Sequence, residues 1–183
     1  MTIKQIYNEL CYTQSDINEH LPTLYQLALE CETIVELGVR WVTSSWAFAL
    51  ANPKKLFCVD ISKHKMVDYF LAICKNEQIN VEFTECDSRT FDIKEDVDMI
   101  FFDTLHDYDQ LKSELTHLGN RSKKYLVFHD TVTFGRVNET EAKTTEKPGL
   151  IPAIKEFLVQ NEHWKEKHTY LNNNGLTILM RLN

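Results

Sequence analysis

The sequence predicts an α/β domain built on a doubly wound, mostly parallel sheet that ends in an antiparallel hairpin. Three observations carry that prediction. Short apolar runs alternate with stretches of helical periodicity between Thr33 and Asp130. Those runs are apolar on both faces, as strands are when helices cover the sheet on each side. Near the end of the chain, Asn174-Gly175 lies between two extended runs, a strong signal for a tight antiparallel turn.

The elements follow in order. Leu21, Leu24, Leu27, Ala28 and Cys31 recur at helical spacing, with Ser15 or Asp16 as a start signal, and predict a helix from Asp16 to Cys31. Thr33 to Leu37 is short and β-branched and stops at Gly38. Ser44 to Ala51 reads as a helix opened by hydroxyl caps and stopped before Pro53. Lys55 to Val59 is a strand ending at Asp60, followed by a helix from about Lys63 to Lys75. Val81 to Thr84 and Val97 to Phe102 are strands, the second ending at Asp103. Asp107 with Gln110 matches a capping box ahead of a Leu111, Leu115, Leu118 stripe. Tyr125 to Phe128 is a buried strand that ends at His129 and Asp130. Ile151 to Gln160 is helical, and Lys167 to Leu171 and Leu176 to Arg181 are the hairpin arms.

The 183 residues suit one domain over 1–183, with 1–32 as a helical cap and 132–149, long, polar and aperiodic, as a lid. No run approaches the ~20 apolar residues of a membrane span. MTIKQIYNEL lacks the basic-then-apolar pattern of a secretory leader. A net charge of −7 argues against holding nucleic acid by its phosphates. The five cysteines are odd in number and lack CxxC spacing; Cys58, Cys74 and Cys86 sit in apolar runs. They read as buried free thiols in a reducing compartment, which implies a cytoplasmic protein.

In open α/β sheets ligands bind beyond the carboxyl ends of the strands. Here those ends carry Glu36 and Gly38, Asp60, Asp87 and Ser88, Asp103 with His106, and His129 with Asp130. A lone Asp at a strand end is commonly a helix cap; a row of acids along one sheet edge suggests a site. Asp60, 24 residues after Glu36, can accept both hydrogen bonds of a ribose diol, or can cap the helix near Lys63. Gly38 opens a strand-to-helix turn where backbone approaches a ligand, although GVRWVTSS has neither a GxGxxG nor a P-loop signature. Asp103 and His106 at i, i+3, beside Asp130, suit metal binding, general base work or both. His20, His64, His117, His163 and His168 have no comparable setting, Trp41 and Trp46 suit a core or stacking role, and Glu139 to Glu146 reads as solvated loop.

Taken together, VELGVRWVTSSWAFA, LFCVDI, ECDSRTF, VDMIFFDTLHDYDQLKSEL and YLVFHDT resemble successive motifs of the class I S-adenosylmethionine-dependent methyltransferases, from about Ile34 to Arg181. The terminal hairpin separates that Rossmann-like fold from dinucleotide-binding domains. FFDTLHDYDQ and FHDT are most similar to the small-molecule O-methyltransferases of the macrolide-sugar and cephalosporin-pathway type. The resemblance implies S-adenosyl-L-methionine held by Glu36, Gly38, Arg40, Ser44, Asp60, Ile61, Asp87, Ser88 and Asp103. It implies a divalent metal, Mg²⁺ or Mn²⁺, at Asp103, His129 and Asp130, with Asp103 and His106 catalytic and His106 the general base. The acceptor is then a small molecule with a hydroxyl group, and neither nucleic acid nor membrane is a partner.

Two departures from the family pattern stand out. Val42 occupies the place of a second glycine, where a side chain would crowd the cofactor. His129-Asp130 replaces an acidic pair, and adjacent residues of an extended strand point to opposite sides, so both can ligate only if the backbone turns there. Exposed aromatics around Trp41 and Phe134 could support an oligomer. Two other classes fit the same residues: a cofactor-binding domain without catalysis, and a metal-dependent hydrolase using Asp103, His106 and Asp130.

Overall fold

The computed structural model describes residues 1–140 and 148–182. Along the chain come α1 (Ile3–Tyr12), α2 (Leu21–Ala28), β1 (Thr33–Leu37), α3 (Thr43–Leu50), β2 (Lys55–Asp60), α4 (Lys65–Asn76), β3 (Val81–Glu85) and β4 (Val97–Phe102). Then come α5 (Tyr108–Leu118), β5 (Ser122–His129), α6 (Leu150–Gln160), β6 (Trp164–Tyr170) and β7 (Leu176–Arg181). The strands form one sheet in the order β3-β2-β1-β4-β5-β7-β6. The first five strands run parallel, and β7 inserts antiparallel between β5 and β6. The predicted doubly wound sheet with its C-terminal hairpin is what forms.

Alternation along each strand divides the core. Ile34, Leu56, Met99 and Phe101 face α1 to α4, whereas Val35, Ile100, Phe102 and Phe128 face α5 and α6. Every residue of β4 is buried, Asp98 included, as befits a central strand covered on both faces. No helix among the described residues is long and apolar enough to cross a membrane.

Several local expectations are corrected. Within residues 1–32, read as a helical cap, α1 precedes the one helix given bounds from the sequence; Thr2 and Gln5 form a reciprocal capping box at its start. The helix predicted from Asp16 starts later, at Leu21, because Ser15 accepts from the amides of Ile17 and Asn18 and closes a 3₁₀ turn over Asn18–His20 instead. The strand-helix alternation breaks between β3 and β4, where the connection holds no helix; its Phe91 and Ile93 pack against the α5 and α6 side of the core. The capping box at Asp107 does not form: the Asp107 carboxylate accepts from the amide and hydroxyl of Thr140, and the Gln110 side chain turns inward. The cysteines are free as expected, with Cys58 and Cys74 buried, but Cys86 is only partly covered.

Candidate active site

The strand order reverses between β1 and β4, and a cleft of about 420 Å³ opens there beyond the carboxyl ends of the strands. Gly38 (φ 85°) forms its floor, packed so tightly that a Cβ would lie 2.0 Å from the Asp103 carbonyl oxygen. Asp60 ties the following loop down: its Oδ2 accepts from the amides of Val39 and Arg40 at 2.8 Å each, and its Oδ1 from Ser62. The next helix is capped by His64 Nδ1, so Asp60 is not a helix cap. Cys86, Asp87, Ser88, Arg89 and Gln110 also line the cleft, as do the exposed apolar residues Ile61 and Leu105. Arg89 grips both oxygens of Asp87 and holds that carboxyl below its usual range.

Gly38, Arg40, Asp60, Ile61, Asp87, Ser88 and Asp103 all line this cleft. Glu36 and Ser44, expected beside them, do not. Glu36 is fully buried behind the loop and accepts from the hydroxyls of Ser44 and Ser45 at 2.5 and 2.6 Å. Burial pushes its carboxyl up to about 7, against the pull of those hydroxyls and of Cys58. It braces the start of α3 from below. Val42 does not crowd the cleft. Its backbone takes the left-handed conformation (φ 62°) that a glycine would take, while its side chain is fully buried in the core.

Asp103 belongs both to the cleft and to a cluster beside it. The His106 Nε2 lies 3.3 Å from Asp103 Oδ1 and 3.0 Å from Asp130 Oδ2. His129 Nδ1 lies 3.2 and 3.1 Å from the same two atoms. His129 and Asp130 converge because the backbone does turn: Asp130 has φ 60°. The Nε2 of His129 donates to the carbonyl oxygens of Asp16 and Asn173 at 3.1 and 3.3 Å. Its Nδ1 must therefore meet the two carboxylates as a second N–H or through a cation. Burial alone would lower both imidazoles, but Asp103 and Asp130 outweigh it and raise His106 to about 10 and His129 to about 11. With so raised a value, His106 in the free protein keeps its proton at neutral pH.

Two residues of this cluster were not expected. Glu139, assigned to solvated loop, reaches His106 Nδ1 at 2.8 Å. His20 is buried; its Nε2 donates to the carbonyls of Asn172 and Asn173, and its ring stands edge-on to His129. Phe134, expected among the exposed aromatics, is half-buried and stacks flat on His106, ring centres 4.9 Å apart. Trp41 is exposed, under the Arg40 guanidinium. Of the proposed lid, Phe134 and Glu139 fold onto the site; residues 141–147, with the rest of the Glu139 to Glu146 patch, lie outside the described residues.

A metal fits these side chains. One donor atom each from Asp103, His129 and Asp130 lies within 4.8 Å of the others. Asp130 Oδ1 is buried without a hydrogen-bond partner among the described residues. A ring N–H donated to a backbone carbonyl, as His129 does, is also the usual support of a metal-ligating imidazole.

Comparison with solved structures decides the architecture. The fold is that of the class I methyltransferases. The N-methyltransferase NodS from Bradyrhizobium japonicum WM9, in complex with S-adenosyl-L-homocysteine, is similar at TM-score 0.65 and 15% identity, over 99% of this chain and 98% of that one. Magnesium protoporphyrin IX methyltransferase from Synechocystis PCC 6803, with bound S-adenosylhomocysteine, is similar at 0.62 and 13%, over 97% and 94%. A methyltransferase from Geobacter sulfurreducens is similar at 0.60 and 17%, over 99% and 86%. No protein-family model and no curated protein sequence matches this chain.

Proposed function

We propose that this chain transfers a methyl group from S-adenosyl-L-methionine to a hydroxyl of a small-molecule acceptor. The observation that carries the reading is the double membership of Asp103, which is a wall of the switch-point cleft and also a partner of both histidines. A cofactor in that cleft and an acceptor at the cluster would meet at this one residue. The methyltransferases of the same fold that hold S-adenosylhomocysteine support the choice of cofactor.

Methyl transfer from a sulfonium is a direct displacement, so the protein must align nucleophile, carbon and sulfur; alignment is worth up to roughly 7–11 kcal/mol. The loop pinned by Asp60 and floored by Gly38 fixes the cofactor side. Phe134, stacked flat on His106, holds that ring in place on the acceptor side. Glu139 holds the Nδ1–H of His106, so Nε2 is the atom that can exchange a proton with the acceptor. A divalent cation held by Asp103, His129 and Asp130 would neutralise the carboxylates that raise His106 and lower the pKa of a bound hydroxyl. The imidazole in that donor set favours Mn²⁺, Fe²⁺ or Zn²⁺ over Mg²⁺.

Calorimetric titration with S-adenosylmethionine and S-adenosylhomocysteine, with and without Mn²⁺, tests the reading. Micromolar binding that Asp60→Ala abolishes supports it. No binding in either condition overturns it and brings forward hydrolysis at Asp103, His106 and Asp130.

A further inference from the structure

His129 is held from outside its cluster by two carbonyl oxygens of distant segments. Its Nε2 donates to Asp16, in the cap, and to Asn173, in the turn between β6 and β7. The second of these acceptors is shared. His20 Nε2 donates to the Asn173 oxygen at 3.1 Å and to the Asn172 oxygen at 3.0 Å. Both partners of that nitrogen are carbonyls, so Nε2 carries the proton and the tautomer of His20 is fixed.

The shared residue is clamped on its side-chain end as well. Asn173 Nδ2 donates to the Ser15 carbonyl at 2.8 Å, and Asn173 Oδ1 accepts from the Glu19 amide at 3.0 Å. His20 is 1% exposed and wedged between two rings, with His129 centred 5.8 Å away and Tyr170 5.9 Å away. It is not one of the residues whose donor atoms gather at Asp103, His129 and Asp130. One buried imidazole therefore spends its proton on a carbonyl that a second imidazole uses.

A ligating imidazole aims its lone pair only while its other nitrogen stays protonated and held. The His129–Asn173 bond, at 3.3 Å, is near the limit of a useful N–H···O contact, so a small retreat of the carbonyl breaks it. We infer that His20 is a positioning residue for a divalent cation at Asp103, His129 and Asp130, holding the Asn173 carbonyl against His129 Nε2–H so that His129 ligates through Nδ1. The inference rests on the metal-assisted reading given above. Through it, a residue of the N-terminal cap sets metal affinity without touching the ion.

Titration of the full chain with Mn²⁺ alone, followed by loss of the free-ion electron paramagnetic resonance signal, tests this. His20→Phe keeps a ring between His129 and Tyr170 but has no N–H, and is expected to weaken Mn²⁺ binding by about tenfold or more. His20→Gln offers an amide N–H to the same carbonyls and is expected to recover part of that loss. Unchanged affinity in His20→Phe overturns the inference and leaves the metal reading standing. A loss as large in His20→Gln as in His20→Phe overturns it too, because the lost hydrogen bond is then not the cause. No Mn²⁺ binding by the unaltered chain overturns the metal reading itself. Where His20→Phe fails to fold, the histidine nitrogen resonances of the unaltered chain with Zn²⁺ decide. His20 and His129 both protonated at Nε2, with His129 bound through Nδ1, is the expected result; ligation through His129 Nε2 overturns the inference.

Discussion

His129 and Asp130 are consecutive, yet His129 Nδ1 lies 3.1 Å from Asp130 Oδ2. An extended strand would send the two side chains to opposite faces of the sheet. The left-handed turn at Asp130 (φ 60°) ends β5 and brings both onto the side where Asp103 and His106 wait.

That convergence fixes how stability depends on pH. His106 at about 10 and His129 at about 11 lie above the ordinary histidine value of 6.5, so the folded chain holds protons that the unfolded chain releases. The contribution is fully present below about pH 6.5 and fades as pH rises towards 10 and 11. The melting temperature, measured with a chelator present, should fall steadily across that window. Asp130→Asn should flatten the slope; an unchanged slope would remove the cluster as its source.

Glu36 gives a second test of the same sign, because burial lifts its folded value to about 7, above that of a free carboxyl. Its charge costs stability as pH rises from about 4.5 to about 7, and the cost is constant above that. Glu36→Gln removes that cost and should be close to neutral at pH 8. Glu36→Ala leaves a void and two buried hydroxyls without their acceptor, and should cost about 2–4 kcal/mol in urea unfolding.

Val42→Gly and Val42→Ala should invert the usual order. Both lose a fully buried side chain. Alanine must still hold the left-handed backbone at φ 62°, which costs an L-residue about 1–2 kcal/mol. Glycine should therefore be at least as stable as alanine here by chemical denaturation. An alanine variant clearly the more stable would mean that the backbone changes shape when the valine side chain is lost.

Gly38→Ala should separate the loop from the cluster. A Cβ at Gly38 meets the Asp103 carbonyl oxygen, and φ 85° disfavours any side chain. The peptides must shift, at a cost of about 1–3 kcal/mol. Binding of S-adenosylhomocysteine should weaken by about tenfold or more, while the far-ultraviolet dichroism of the sheet and helices stays unchanged.

The sheet was legible because its signals are local. β1 and β4 match their apolar runs residue for residue, and Asn174-Gly175 marks the hairpin through the positive φ of both residues. The strand-end acids were legible for the same reason. The missed pieces depend on contacts between distant segments. Nothing near Gln110 in sequence tells that its amide leaves the helix cap for Ser88 and Glu114. Nothing near His20 tells that the C-terminal turn will bury it, and nothing near Glu139 that His106 waits 33 residues away. The raised pKa of His106 was not legible either, because residue type alone gives the value of an isolated imidazole, not of one set between two carboxylates.

The carbonyl of Asn173, in the turn between β6 and β7, accepts from both His20 and His129. Asn174 accepts from the amides of Val132 and Thr133 just after β5. A nascent chain that has made every helix and all five parallel strands still lacks these acceptors, and β5 still lacks its antiparallel neighbour. The histidine-carboxylate cluster is therefore braced only once the β6–β7 hairpin has folded back against β5, so the antiparallel hairpin and not the parallel sheet supplies the last of its supports.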